Sequence, residues 1–168
     1  SPKEKTPDIE KKLYLTIKRI ENKIKAQSIN DFYVCSLSTQ TIVYKGMFLA
    51  EQLSEFYPDL LDNEFTSKFA IYHQRYSTNT FPTWSLAQPF RVLAHNGEIN
   101  TLKGNINWMS AHEPRITHPF FNERINDLKP VLDPDASDSA SLDAAFELFV
   151  QTDRDMPMAK SMIIPESW

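Results

Sequence analysis

Glycine is scarce: Gly46, Gly97 and Gly104 are the only three in 168 residues, so no glycine-rich loop is present to let backbone amides cradle a phosphate. Nucleotide-fold readings therefore have no motif to stand on. The single Cys35 excludes an internal disulfide framework, a multi-cysteine zinc site and an iron–sulfur site built by this chain alone, and it fits a reducing compartment. No apolar run approaches the roughly 20 residues that span a bilayer, and Ser1-Pro2-Lys3-Glu4-Lys5 lacks the apolar centre of a signal peptide. Positive charge is also short. Eighteen Lys and Arg against 22 Asp and Glu leave a net charge of −4, with no broad basic field for nucleic acid or anionic lipid. What is present, 41% hydrophobic and 12% aromatic residues, suffices for one domain with a real core and excludes disorder throughout.

Thr6-Pro7-Asp8 offers a helix N-cap, a proline at the first helical position and an early acid, and Ile9, Leu13, Ile17, Ile20 and Ile24 continue at helical spacing to an end near Gln27. Phe32 to Leu37 and Thr41 to Tyr44, separated by Ser38-Thr39-Gln40, predict a hairpin. A short helix follows near Leu49 to Phe56, closed by Pro58. Phe69 to Tyr76 predicts a mostly buried strand whose one face carries Phe69, Ile71, His73 and Arg75. Ser77 to Pro89 is long enough for a lid or binding loop. Phe90 to His95 predicts another strand, Asn96-Gly97 a turn, and Thr101 to about His112 a helix. Prolines at 114, 119, 130 and 134 mark irregular structure from Glu113 to Pro134. Ser137 or Asp138 then caps a helix with Leu142, Ala145, Phe146 and Phe149 as its apolar stripe. The arrangement favours an α+β fold over an all-parallel sheet.

Three segments combine polar groups with the end of a regular element: His73 to Thr80, His95-Asn96-Gly97-Glu98 and Ser137-Asp138-Ser139. Arg75 with the hydroxyl and amide side chains after it suits a carboxylate, because a guanidinium forks onto two oxygens; a structural salt bridge is the plain alternative. Asn96-Gly97 can aim a side-chain amide and a backbone N–H at one point, as an oxyanion hole requires, or can simply turn the chain. Asp138 can hold an ammonium group or cap its helix. Arg75 with Asp138 supplies the cation and anion that a zwitterion needs. The histidines, at 73, 95, 112 and 118, have no recognised metal spacing, and His73 and His95 read as hydrogen-bonded residues beside the candidate site.

Phe32 to Ser38, Thr41 to Gly46, Glu51-Gln52-Leu53 with Phe56 to Leu60, His73 to Arg115, Asp135 to Ser139 and Ile164 to Trp168 resemble the glutaminase domain of glutamate synthase large (alpha) subunits. That domain is a class II (N-terminal-nucleophile) glutamine amidotransferase, and Thr80-Phe81-Pro82-Thr83-Trp84 with Ala94 to Thr101 is the run that separates this group from other amidotransferases. The resemblance implies part of a four-layer αββα sandwich and hydrolysis of glutamine to glutamate and ammonia, the ammonia aminating 2-oxoglutarate elsewhere in an oxidoreductase. It assigns the glutamine α-carboxylate to Arg75, Thr78 and Asn79, the α-ammonium to Asp138, and the oxyanion to Asn96 and Gly97. It places FMN and an iron–sulfur cluster in other domains, with no cofactor in this chain. The implied partners are glutamine, synthase domains of the same polypeptide, and ferredoxin or a nicotinamide-oxidising small subunit. Neither nucleic acid nor membrane is expected, and the implied location is cytoplasmic, or the plastid stroma in a photosynthetic eukaryote.

The family nucleophile is a cysteine at the mature N-terminus, with its own α-amine as base, whereas this sequence opens with Ser1 ahead of a solvated Lys3-Glu4-Lys5 and a helix. Ser1 is rejected as a substitute, and Cys35, mid-strand in this reading, fits a packed side chain. The expectation is a single partial glutaminase domain over 1–168 that lacks the nucleophile and metal sites and is inactive alone. The alternative is a non-catalytic globular or amino-acid-binding module that keeps the fold.

Overall fold

The longest helix, α1 (Thr6–Ala26), packs against the 3-10 segment Asn122–Leu128 and against α4 (Asp138–Gln151) in the computed structural model, which describes residues 6–29, 32–74 and 83–166. Between them run α2 (Leu53–Phe56), flanked by 3-10 turns at Ala50–Gln52 and Pro58–Leu61, and α3 (Leu102–His112). A last helix, α5 (Met156–Ile163), returns onto α4. Asp155 caps α5 by accepting the Met158 N–H at 2.7 Å, and Pro157 sits in its first turn. This helix is an addition to the sequence reading, although Asp155-Met156-Pro157 is a start signal.

The core gathers Tyr14 and Leu15 of α1, Leu148 of α4, and Ile116, Phe121, Leu128, Val131 and Leu132. Five of those eight residues come from the stretch that was expected to be irregular. It is irregular, with 3-10 turns at Glu113–Arg115 and Asn122–Leu128, yet it fills the interior. The Val131 N–H donates to Glu113 Oε1 at 2.6 Å, and the Asn22 side chain donates to the Asp127 and Lys129 carbonyls at 3.0 Å, so side chains satisfy part of this bent backbone.

α1 is turned relative to the expected stripe. Lys11, Tyr14, Leu15 and Ile17 are its buried residues, while Ile20 is exposed and Ile9, Leu13 and Ile24 are half-buried. The start near Thr6, the helix over 102–112 and the Ser137 cap agree with the sequence reading; Ser137 Oγ accepts from the Ala140 N–H at 3.2 Å. The stripe on α4 is corrected in part: Phe146 is buried as expected, but its buried companions are Ser141, Asp143, Glu147 and Leu148.

The predicted strands are not formed among the described residues, which are helical or irregular, so the αββα sandwich is not seen in them. At 32–37 and 41–44 the chain has no ladder; a cross-link is made instead by Ser36 Oγ, which accepts the Val43 N–H at 3.0 Å. The described part of the expected buried strand, 69–74, is exposed, Phe69 at 77%. At 90–95 the chain bends, the Phe90 N–H donating to the Leu93 carbonyl at 2.8 Å. The physical reason is common to all three. Alternation shows that a segment has a face to bury, but a strand exists only when a neighbour takes its backbone hydrogen bonds. Of the expected 77–89 loop, residues 83–89 are described and include a 3-10 turn at Trp84–Leu86.

Candidate functional site

One face of α4 is polar and points inward. Ser139, Asp143 and Glu147 recur every four residues, so they line up along the helix, and all three meet the segment 91–95. Glu147 Oε2 accepts from an Arg91 guanidinium nitrogen at 3.4 Å. Asp143 Oδ1 accepts the Val92 and Leu93 N–H groups, both at 2.9 Å, and its Oδ2 accepts the Arg91 N–H at 3.3 Å. His95 Nε2 lies 2.7 Å from Ser139 Oγ. The segment is thereby laid along α4, with Arg91 toward the helix C-terminus and His95 at its N-terminal turn.

Arg91 also ties this pair to the rest of the molecule. It pairs with Glu21 of α1, donates from Nε to the Val34 carbonyl at 2.9 Å, and stacks over the Tyr33 ring at 4.6 Å. Burial pushes the Glu147 carboxyl up to about 7 in spite of Arg91, and it raises the Asp143 carboxyl against the backbone N–H groups that hold it down. Beside this network Lys45 is buried between the Tyr33 and Phe90 rings, 4.6 and 4.4 Å from their centroids, and burial lowers its ammonium to about 8. Sequence reading passed over Arg91, Asp143, Glu147 and Lys45. The four-residue spacing from Ser139 to Glu147 was the available signal for the acids.

Two of the three candidate segments are thus brought together. The Asn96-Gly97 turn follows directly on His95, and Asp138 directly precedes Ser139, so the 2.7 Å contact sets oxyanion candidates beside the ammonium candidate. Ser137 does the capping, which leaves Asp138 for another task. Asp138 Oδ1 accepts from the Ser139 N–H at 2.6 Å and from Ser139 Oγ at 3.2 Å; its Oδ2 makes no hydrogen bond among the described residues. The Gly97 N–H donates to His95 Nδ1 at 3.2 Å. A cleft of about 2170 Å³ takes in His73, Asn96, Gly97 and Asp138. That exceeds the ~300–1,000 Å³ of a small-molecule pocket, so the cleft is open rather than a closed pocket. Arg75, Thr78 and Asn79 lie outside the described residues. Cys35 is half-buried, and burial pushes its thiol up against the influence of Lys45 and Arg91, a poor setting for a thiolate. Among the described residues no group of three or more His, Cys, Asp and Glu is placed to hold a metal, and no helix is long and apolar enough to cross a membrane.

A family model described as glutamine amidotransferases class-II matches residues 1–168. The chain belongs to that family. Class II membership implies the N-terminal-nucleophile hydrolase fold, while the described residues are helical or irregular and do not display its sandwich. The chain is similar to the glutamate synthase [NADPH] large chain of Azospirillum brasilense, 64% identical over 155 residues, which is 92% of this chain and 10% of that protein. It is 52% identical over 159 residues to the glutamate synthase [NADPH] large chain of Bacillus subtilis, covering 95% of this chain and 10% of the relative. The chloroplastic ferredoxin-dependent glutamate synthase of Spinacia oleracea is 50% identical over 164 residues, 97% of this chain and 10% of its own. The chain spans about a tenth of the length of the relatives it matches.

Proposed function

We propose that this chain is the glutamine-binding and oxyanion-stabilising part of the glutaminase domain of a glutamate synthase large chain. The observation that carries the reading is the 2.7 Å contact between His95 and Ser139, which sets Asn96-Gly97 beside Asp138. In this reading Asp138 Oδ2 accepts the α-ammonium of glutamine, and Arg75 forks onto the α-carboxylate with Thr78 and Asn79 beside it. A cysteine thiolate, the family's nucleophile, attacks the side-chain amide carbon of glutamine. Negative charge then develops on the amide oxygen, where the Asn96 side-chain N–H meets it and the Gly97 backbone N–H transfers to it from His95 Nδ1. The carbon–nitrogen bond breaks as the amide nitrogen takes the proton that the cysteine α-amine received from the thiol and leaves as ammonia, and water then releases glutamate from the thioester.

The rest of the proposal follows from the resemblance to glutamate synthases, with the relatives' names naming NADPH or ferredoxin. Ammonia passes to a synthase site of the same polypeptide that aminates 2-oxoglutarate, with FMN and an iron–sulfur cluster in those other domains and electrons from ferredoxin or NADPH. The location proposed is the cytoplasm or a plastid stroma.

The test is Asn96→Asp in the full-length enzyme, because aspartate keeps the turn but sets an anion against the developing oxyanion. The glutaminase kcat is expected to fall at least about a hundredfold, with glutamine binding changed much less and ammonia-dependent synthesis intact. A variant that keeps its kcat refutes the assignment.

A further inference from the structure

We infer that His95 is the positioning residue of this site, holding the oxyanion turn and the ammonium acceptor in one hydrogen-bonded chain; the inference rests on the reading of the site just proposed. The Gly97 N–H donates to His95 Nδ1 at 3.2 Å, so in the neutral imidazole the ring proton sits on Nε2. Nε2–H therefore donates to Ser139 Oγ, 2.7 Å away. The Ser139 hydroxyl, having accepted there, donates its own proton to Asp138 Oδ1 at 3.2 Å. Every member has one role, and the direction is fixed from Gly97 through His95 and Ser139 to Asp138.

Two consequences follow. At rest the imidazole accepts the Gly97 N–H and so fixes the turn; the developing oxyanion takes over that same N–H as half of its donor pair. Because Asp138 Oδ1 is occupied by Ser139, Oδ2 is the oxygen kept for an ammonium group. Two nitrogens at opposite corners of a rigid ring are needed to do both, and no amide side chain reaches both points. The chain separates into two halves that substitutions can address singly. His95→Asn keeps an acceptor near the Nδ1 position and gives up Ser139, whereas His95→Gln extends toward Ser139 and gives up Gly97.

The experiment is steady-state glutaminase kinetics of the full-length enzyme carrying His95→Asn, His95→Gln, Ser139→Ala, Ser139→Thr and the double variant His95→Asn with Ser139→Ala. Ammonia-dependent synthesis serves as the check on folding, and Asn96→Asp as the benchmark. His95→Asn and Ser139→Ala are expected to raise the KM for glutamine about five- to tenfold, the size of one lost neutral hydrogen bond, with a smaller change in kcat. His95→Gln is expected to lower kcat by a similar factor with KM changed less. Ser139→Thr, which keeps the hydroxyl, restores KM, and the double variant is no worse than either single change. Wild-type kinetics in His95→Asn and Ser139→Ala, equal loss in kcat and KM across all variants, or multiplied effects in the double variant would each overturn the inference. If these occur while Asn96→Asp still loses its kcat, only the positioning role fails; a normal kcat in Asn96→Asp sinks the site reading and the inference with it.

Discussion

Removing the Asp143 carboxylate should cost far more than changing it to an amide, and the difference follows from which oxygen takes which bond. Oδ1 accepts the Val92 and Leu93 N–H groups at 2.9 Å, while Oδ2 takes only the Arg91 N–H at 3.3 Å. Asp143→Ala leaves two well-bonded donors without partners in a residue environment only 3% exposed, and it leaves Arg91 short of a facing anion. Each stranded buried donor costs about 1–3 kcal/mol and a broken buried charge network about 3–5 kcal/mol, so the expected loss is about 4 kcal/mol. Asp143→Asn keeps an oxygen at Oδ1 and loses the charge and the long bond, for about 1 kcal/mol. The raised Asp143 carboxyl does not contradict this. Burial makes the charge unfavourable relative to water, but deleting it leaves the donors that it serves equally dry. Urea unfolding followed by tryptophan fluorescence measures both variants. With a slope of about 2 kcal/mol per molar urea, Asp143→Ala moves the midpoint down by about 2 M and Asp143→Asn by about 0.5 M. Equal shifts for the two variants would refute the oxygen-by-oxygen reasoning, as would an Asp143→Ala protein within about 0.5 kcal/mol of the parent.

Glu147 is raised from 4.5 to about 7 by burial, opposed by Arg91 and Lys18 and reinforced by Asp143 and Glu21, so the folded chain holds a proton there that the unfolded chain has released. Its contribution to stability is full below about pH 4.5 and is lost as pH rises through about 7; urea midpoints across that range should fall in the parent and flatten in Glu147→Gln. Ser137→Ala removes the 3.2 Å bond to the Ala140 N–H and should cost about 1 kcal/mol, with Ser137→Asp restoring it in the same unfolding assay. Arg75→Lys in the full-length enzyme should raise the glutamine KM roughly ten- to a hundredfold, since an ammonium cannot replace a fork on a carboxylate; normal KM values would favour a structural salt bridge.

What was legible in the sequence was local. The helix start near Thr6, the 102–112 helix and the Ser137 cap depend on residues a few positions apart, and each is present. The core was less readable because Ile116, Phe121, Leu128, Val131 and Leu132 sit on bends and 3-10 turns, where no period announces them. Of the expected α1 stripe only Ile17 is buried, because Tyr14 and Lys11 take places that branched aliphatics alone do not announce. Tyr14 packs edge-on to Phe121, and Lys11 buries its stem while its ammonium pairs with Asp153, so both go inside. Of the candidate site, Asn96, Gly97 and Asp138 were readable as chemistry, but their adjacency was not, because the contact joining them runs through His95 and Ser139, 44 positions apart.

The acids of α4 show why polar spacing deserves the same reading as apolar spacing. Taken singly, Asp143 and Glu147 look like a solvated helix face, yet they lie inside and are the means by which the helix holds a segment that has no ladder of its own. From Ser139 to Glu147 is eight residues, about 12 Å of helix, and over that length the helix engages Arg91 at one end, three backbone N–H groups in the middle and His95 at the other. A backbone that bends at 90–93 must find its hydrogen bonds elsewhere, and the Asp143 carboxylate provides three of them, while Glu147 holds the Arg91 side chain. The stability of this clamp and the geometry of the candidate site are therefore one problem. Whatever loosens Asp143 loosens the lead into Asn96-Gly97, while changes at His95 or Ser139 remove one neutral hydrogen bond at the end of the clamp and should lower the unfolding midpoint by only about 0.5 M urea.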